Sequence, residues 1–177
     1  MTWTLPPEIT AAALGAILIW LFQLYDRLRD RSKVRESTVV AIASEVDAIC
    51  RLVRSKGYLD GFGSEADKIR EGTWKGVSFV ADIRGNYFRA YEAFLPSLSH
   101  LPPRQVSSIV TFYAYCESAI DSTRPDGPMA NCDDLDDKAN SVVDIAEVLR
   151  TILRLGDEIV QFPKQRLVQG FLEWPRL

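Results

Sequence analysis

The chain has 177 residues, a formal net charge of −3, 47% hydrophobic residues, one histidine and three cysteines. With no basic patch outside residues 27–35, that balance excludes nucleic acid as a main partner. Cys50, Cys116 and Cys132 are too scattered for a metal pair or a disulfide framework, which suits a reducing compartment.

The first predicted element is Ile9 to Tyr25, seventeen uncharged residues between Glu8 and Asp26. At about 1.5 Å per residue this run covers roughly 25 Å, near the thickness of a bilayer's hydrocarbon layer, and it reads as a membrane-spanning helix. Pro6 and Pro7 suit a first helical turn. Trp3 at one end and Trp20, Phe22 and Tyr25 at the other suit the two lipid–water boundaries. A cleaved signal peptide fits less well, because no Lys or Arg precedes Arg27 and no small-residue cleavage site follows the run. A buried core helix would show a polar stripe, yet from Ile9 to Phe22 only Thr10 is polar.

Arg27, Arg29, Arg31, Lys33 and Arg35 follow directly. The excess of positive charge on that side predicts a single-pass inner-membrane protein, N-terminus outside and C-terminal body in the cytoplasm. Arg27, Arg31 and Arg35 are four apart on one helix face, which makes them candidate headgroup contacts; a merely solvated cationic face is the alternative. Ala11 with Gly15, and Ala12 with Ala16, are small residues at i, i+4. They are candidates for a helix–helix contact in the membrane and so for a homo-oligomer, although small residues are also simply common in such helices. The domain plan is then an anchor with a short outer N-terminus at 1–26, a basic juxtamembrane segment at 27–38 and a cytoplasmic helical domain at 39–177.

From Val39 the pattern turns amphipathic. Val39, Ile42, Val46, Ile49 and Val53 recur at spacings of 3 and 4, one apolar seam. Gly57, Gly61 and Gly63 loosen the chain, and Ser64 with Asp67 predicts a short capped helix through Arg70. The alternation from Val77 to Arg84 predicts an extended segment laid on the helices. Asn86 caps a helix from Tyr87 to about Phe94, ended by Leu95-Pro96. Pro102 and Pro103 open the next helix, with seam Val106, Ile109, Tyr113, Cys116 and Ile120, flanked by Phe112 and Tyr115. His100, between Ser99 and Leu101-Pro102, belongs in a turn rather than a site.

Residues 124–134 have the composition of a loop. The last long helix starts near Asp134. Its seam is Leu135, Ala139, Val142, Ala146, Leu149, Leu153 and Val160, widened by Ile145, Ile152 and Ile159, so it should be the most buried. Phe162-Pro163 ends it, and an amphipathic tail from Leu167 to Trp174 folds back. The expected fold is all-α: an N-terminal transmembrane helix, then an antiparallel bundle of three long and two to three short helices.

Asp133, Asp134, Asp136 and Asp137 form the densest charge cluster. Asp133, Asp136 and Asp137 share a face and are candidate ligands for a divalent cation; helix capping and the helix dipole explain them as simply. No nucleophile elbow, Cys–His signature or glycine-rich phosphate loop is present, and no cofactor is implied. Residues 86–118 resemble a stretch shared by uncharacterised single-span bacterial and prophage membrane proteins, through Tyr87, Phe88, Tyr91, Glu92, Leu101, Pro102, Ile109, Val110, Phe112 and Tyr113. The resemblance implies a membrane-anchored helical body and no activity. The functional expectation is a scaffold or sensor-like subunit that contacts the lipid bilayer through its anchor and a protein partner through its body. The alternative is a membrane-tethered enzyme or metal-dependent hydrolase built on the Asp133–Asp137 cluster.

Overall fold

A computed structural model describes residues 7–73, 87–124, 127 and 134–164, with side chains from residue 15 onward. Every regular element among them is helical: α1 (Pro7–Ser55), α2 (Tyr58–Arg70), α3 (Arg89–Phe94), a 3₁₀ segment (Leu95–His100), α4 (Pro103–Thr123) and α5 (Leu135–Val160). The segment expected to be extended, Val77 to Arg84, lies outside the described residues, as do Asn86 and the tail from Leu167 to Trp174.

The membrane-spanning assignment of Ile9–Tyr25 is corrected. Among the described residues no helix is long and apolar enough to cross a membrane. The uncharged run from Ile9 to Tyr25 covers about 25 Å, short of the roughly 30 Å hydrocarbon layer. Beyond Tyr25, α1 continues without a break for thirty residues, through Asp26 and the charged run, to Ser55. The single-pass, inner-membrane, N-terminus-outside placement falls with the span.

What α1 carries instead is a change of role along its length. From Thr38 onward it is part of the core: Val39, Ile42, Ala43, Val46 and Cys50 are buried, as the 3,4 seam requires. Thr38 is fully buried, and its hydroxyl donates back to the Val34 carbonyl at 2.7 Å, so no polar group is stranded where the helix enters the body. The reversal into α2 uses Gly57 in the left-handed region (φ 64°), where a side chain would be strained. α2 then begins at Tyr58, six residues before the predicted start at Ser64, and runs through Gly61 and Gly63. Phe62, Ala66 and Ile69 are buried, and that packing outweighs the poor helix propensity of the two glycines.

α5 is the centre of the body, touching α1, α2 and α4. Ala139, Val142, Ile145, Ala146, Leu149, Ile152, Leu155, Gly156 and Ile159 are buried along one side. Leu135, expected in that seam, is exposed, because it sits in the first turn beyond the reach of its neighbours. Ser108 near the start of α4 donates to Glu158 near the end of α5 at 3.1 Å, so these two helices run antiparallel. Phe112, expected to flank the α4 seam, is fully buried beside Ile109 and Tyr113. The reason is Gly156: its missing side chain leaves room for Phe112, Val46 and Cys50. A Cβ there would lie 3.3 Å from the Phe112 ring, 3.4 Å from Val46 and in hard collision with the Cys50 Sγ. The glycine that costs α5 about 1 kcal/mol in propensity is where three helices converge.

Candidate interaction surface

The part of α1 that precedes Thr38 has no such neighbours. Ile17, Leu18, Ile19, Trp20, Leu21, Phe22, Leu24, Tyr25 and Leu28 are 40–66% exposed. A run of large exposed apolar side chains is uncommon, which makes this stretch the candidate contact surface. The helix turns about 100° per residue. On that count Ile17, Leu18, Leu21, Leu24, Tyr25 and Leu28 fall within an arc of about 120°, while Ala16, Gln23, Asp26 and Asp30 share the opposite side with Ile19.

Beyond the arm, the enclosed half of α1 is tied to α3 and α4 by a polar joint. Glu45, half-buried on α1, accepts from the Ala90 N–H at 2.7 Å, the Tyr91 N–H at 3.1 Å and the Tyr113 hydroxyl at 2.6 Å. α3 has no side-chain cap of its own, since its N-cap is Phe88. The Glu45 carboxylate supplies the missing acceptor from another helix, and charge makes those bonds strong. Around this point Tyr91 stacks on Tyr113 with ring centroids 4.0 Å apart, and Phe88 and Phe112 meet the same ring edge-on at 5.2 Å. Burial, reinforced by the bond to Glu45, pushes the Tyr113 phenol far above its ordinary range. Burial likewise pushes the Cys50 thiol up to about 11 and the Cys116 thiol up to about 12. These thiols are held protonated, the opposite of what a nucleophile needs.

The predicted site residues do not converge. Asp134 is the N-cap of α5, its Oδ1 accepting from the Asp136 N–H at 2.8 Å and the Asp137 N–H at 3.1 Å. Asp136 and Asp137 stand in the exposed first turn, where negative charge favours the helix dipole. Asp133 lies outside the described residues. Among the described residues no group of three or more His, Cys, Asp or Glu side chains could hold a metal ion. Arg27 and Arg31 are exposed on α1 and Arg35 is half-buried at the foot of the arm. Gly15 and Ala16 lie on the arm with open space around Gly15; the side chains of Ala11 and Ala12 fall outside the description.

Sequence reading missed Glu45. Its signal is a single carboxylate three residues after Ile42 and four before Ile49, on the flank of a seam otherwise apolar. No family model, curated protein or solved structure matches the chain, so its function is argued from its residues alone.

Proposed function

We propose that the protein is an interaction module of the scaffold or sensor-like kind: a packed helical body that presents the first half of α1 as a stiff contact element. The observation that carries this is the exposure of nine large apolar side chains between Ile17 and Leu28 on a helix whose second half is core. A covered face of this kind contributes roughly 25 cal/mol for each Å² removed from water, so leaving it bare forgoes several kcal/mol that a partner would recover. The Glu45 joint supports the same reading. A contact element is useful when its direction is fixed, and three hydrogen bonds to one carboxylate fix α1 against α3 and α4.

The test compares tagged wild-type chain with Leu21→Asp and Phe22→Asp, purified in mild detergent after chemical cross-linking. The expected result is a set of cross-linked species, self or other, that both substitutions deplete at least tenfold while far-UV circular dichroism stays unchanged. Species retained equally by all three proteins would place the contact elsewhere and end this reading.

A further inference from the structure

The contact element has a pattern that identifies its partner. Measured from Leu21, the large residues of its apolar arc stand at −4 (Ile17), −3 (Leu18), +3 (Leu24), +4 (Tyr25) and +7 (Leu28), and the sequence has leucine again at −7. The arrangement reads the same in both directions. We propose that the arm pairs antiparallel with the arm of a second copy of this chain, about a two-fold axis at Leu21. The proposal rests on the reading of α1 as a contact element and adds what it contacts.

A two-fold contact uses the same patch on both copies, so residue i meets residue j and j meets i. Here that places Leu21 on Leu21, Leu18 against Leu24 and Ile17 against Tyr25, large on large at each level. The polar positions meet as well, Thr10 opposite Ser32 at eleven residues on either side of the axis.

Charge selects the antiparallel sense. In a parallel pair the Arg31 side chains of the two copies would stand side by side, and the Arg35 side chains likewise, with unfavourable like-charge contact. In the antiparallel pair the two Arg31 positions are twenty residues apart along the axis, about 30 Å, nearly four screening lengths at physiological salt. The basic run 27–35 then lies beside residues 7–15 of the other copy, whose only charged residue is Glu8, of opposite sign.

Length and area fit too. From Pro7 to Arg35 the helix extends about 43 Å, and covering one side of a helix about 10 Å across over that length removes on the order of 700 Å² from each copy. A stable interface needs about 800 Å² per partner. Pro7, the first residue of α1, falls opposite Arg35 of the other copy, just short of Thr38, where the body begins.

Sedimentation velocity on the full chain, with and without mild detergent, gives the mass. Expected is twice the 19.9 kDa chain for wild type and a single chain for Leu21→Asp, with equal helix content. The sense of pairing comes from Leu21→Cys and Arg31→Cys, each made with Cys132→Ser and oxidised with copper phenanthroline in air. Cys50 and Cys116 are buried and stay out of reach. Leu21→Cys should form a disulfide-linked dimer at least tenfold faster than Arg31→Cys. Faster linking at position 31 would mean parallel pairing and overturn the proposal. So would a single-chain mass at every concentration. In that second case, binding of a different protein or of phosphatidylcholine vesicles that Leu21→Asp abolishes would leave the contact element standing with another occupant. Its absence would remove both readings.

Discussion

Residues 16–37 and residues 38–55 belong to one helix, are similarly rich in apolar side chains and meet opposite fates. In the second half Val39, Ile42, Val46 and Cys50 are at most 4% exposed, enclosed by α2, α3, the 3₁₀ segment and α5. In the first half nine large apolar residues are at least 40% exposed. Apolar content does not decide burial; the presence of partner elements does. The second half finds its partners within the chain, whereas the first half finds none among the described residues and, on the proposed reading, meets them outside the chain.

The sharpest way to break that comparison is to put a carboxylate in each half. Val46→Asp buries an unpaired charge in a fully enclosed position and should cost several kcal/mol, enough to unfold the body at room temperature. Leu21→Asp should leave the thermal midpoint of the body where it was. Equal losses from the two substitutions, followed by circular dichroism at 222 nm, would show that the arm is part of the core.

Gly156→Ala probes the enclosed half more finely. The new Cβ collides with the Cys50 Sγ and crowds Phe112. Overpacking of this kind costs about 1–3 kcal/mol, offset in part by the roughly 1 kcal/mol that alanine gains over glycine in a helix. Cys50→Ala removes the colliding sulfur, so the double variant should recover at least half of the loss. Strict additivity in urea unfolding would mean that the two residues do not meet.

The joint that ties the enclosed half to α3 and α4 is tested by pH. Tyr113 is held as the neutral phenol in the folded state, and in the unfolded chain it ionises near pH 10. Its contribution is therefore complete below about pH 10 and lost as pH rises above it. Cys50 and Cys116, raised to about 11 and about 12, act in the same direction and start earlier, near pH 9, where free thiols ionise. The thermal midpoint should be flat near neutrality, decline from about pH 9 and fall faster beyond pH 10. Tyr113→Phe should cost about 1 kcal/mol at pH 7 and flatten the steeper part of the curve. A curve unaltered by that substitution would mean that Tyr113 does not hold the joint.

Most of the body was legible because helical packing has a period. Val39, Ile42 and Val46, Ile109, Tyr113 and Cys116, and Ala139, Val142 and Ala146 are buried where the 3,4 spacing put them. The period fails at boundaries and at close approaches. It gave no notice that Phe62 would hold α2 together across two glycines, or that Gly156 would draw Phe112 inward, since both depend on a neighbour far away in the chain. Glu45 was illegible for the same reason: the donors at Ala90 and Tyr91 are some 45 residues distant. The arm was misread through its length. Seventeen uncharged residues read as a span, and the arc centred on Leu21 stands out poorly in the same residues because Gln23 is the single polar side chain among them that marks the opposite side.

The smallest expected effect is the most direct statement about the two halves. A chain starting at Val34 lacks the exposed apolar stretch of the arm but keeps the Val34 carbonyl that accepts from buried Thr38. It also keeps Glu45 with its three donors and every buried residue of α1. Nothing enclosed has been removed, so the thermal midpoint should stay within about 3 °C of the full chain, a change well under 1 kcal/mol for a body of this size. The new helix start exposes a few unpaired N–H groups, and some fraying of the first turn is expected, short of Val39. Association should behave differently, falling to a single-chain mass at concentrations where the full chain pairs. A truncated chain that loses ten degrees or more would show that the arm leans on the body through contacts beyond those seen here. One that keeps both its midpoint and its association would move the contact element off the arm and onto the body.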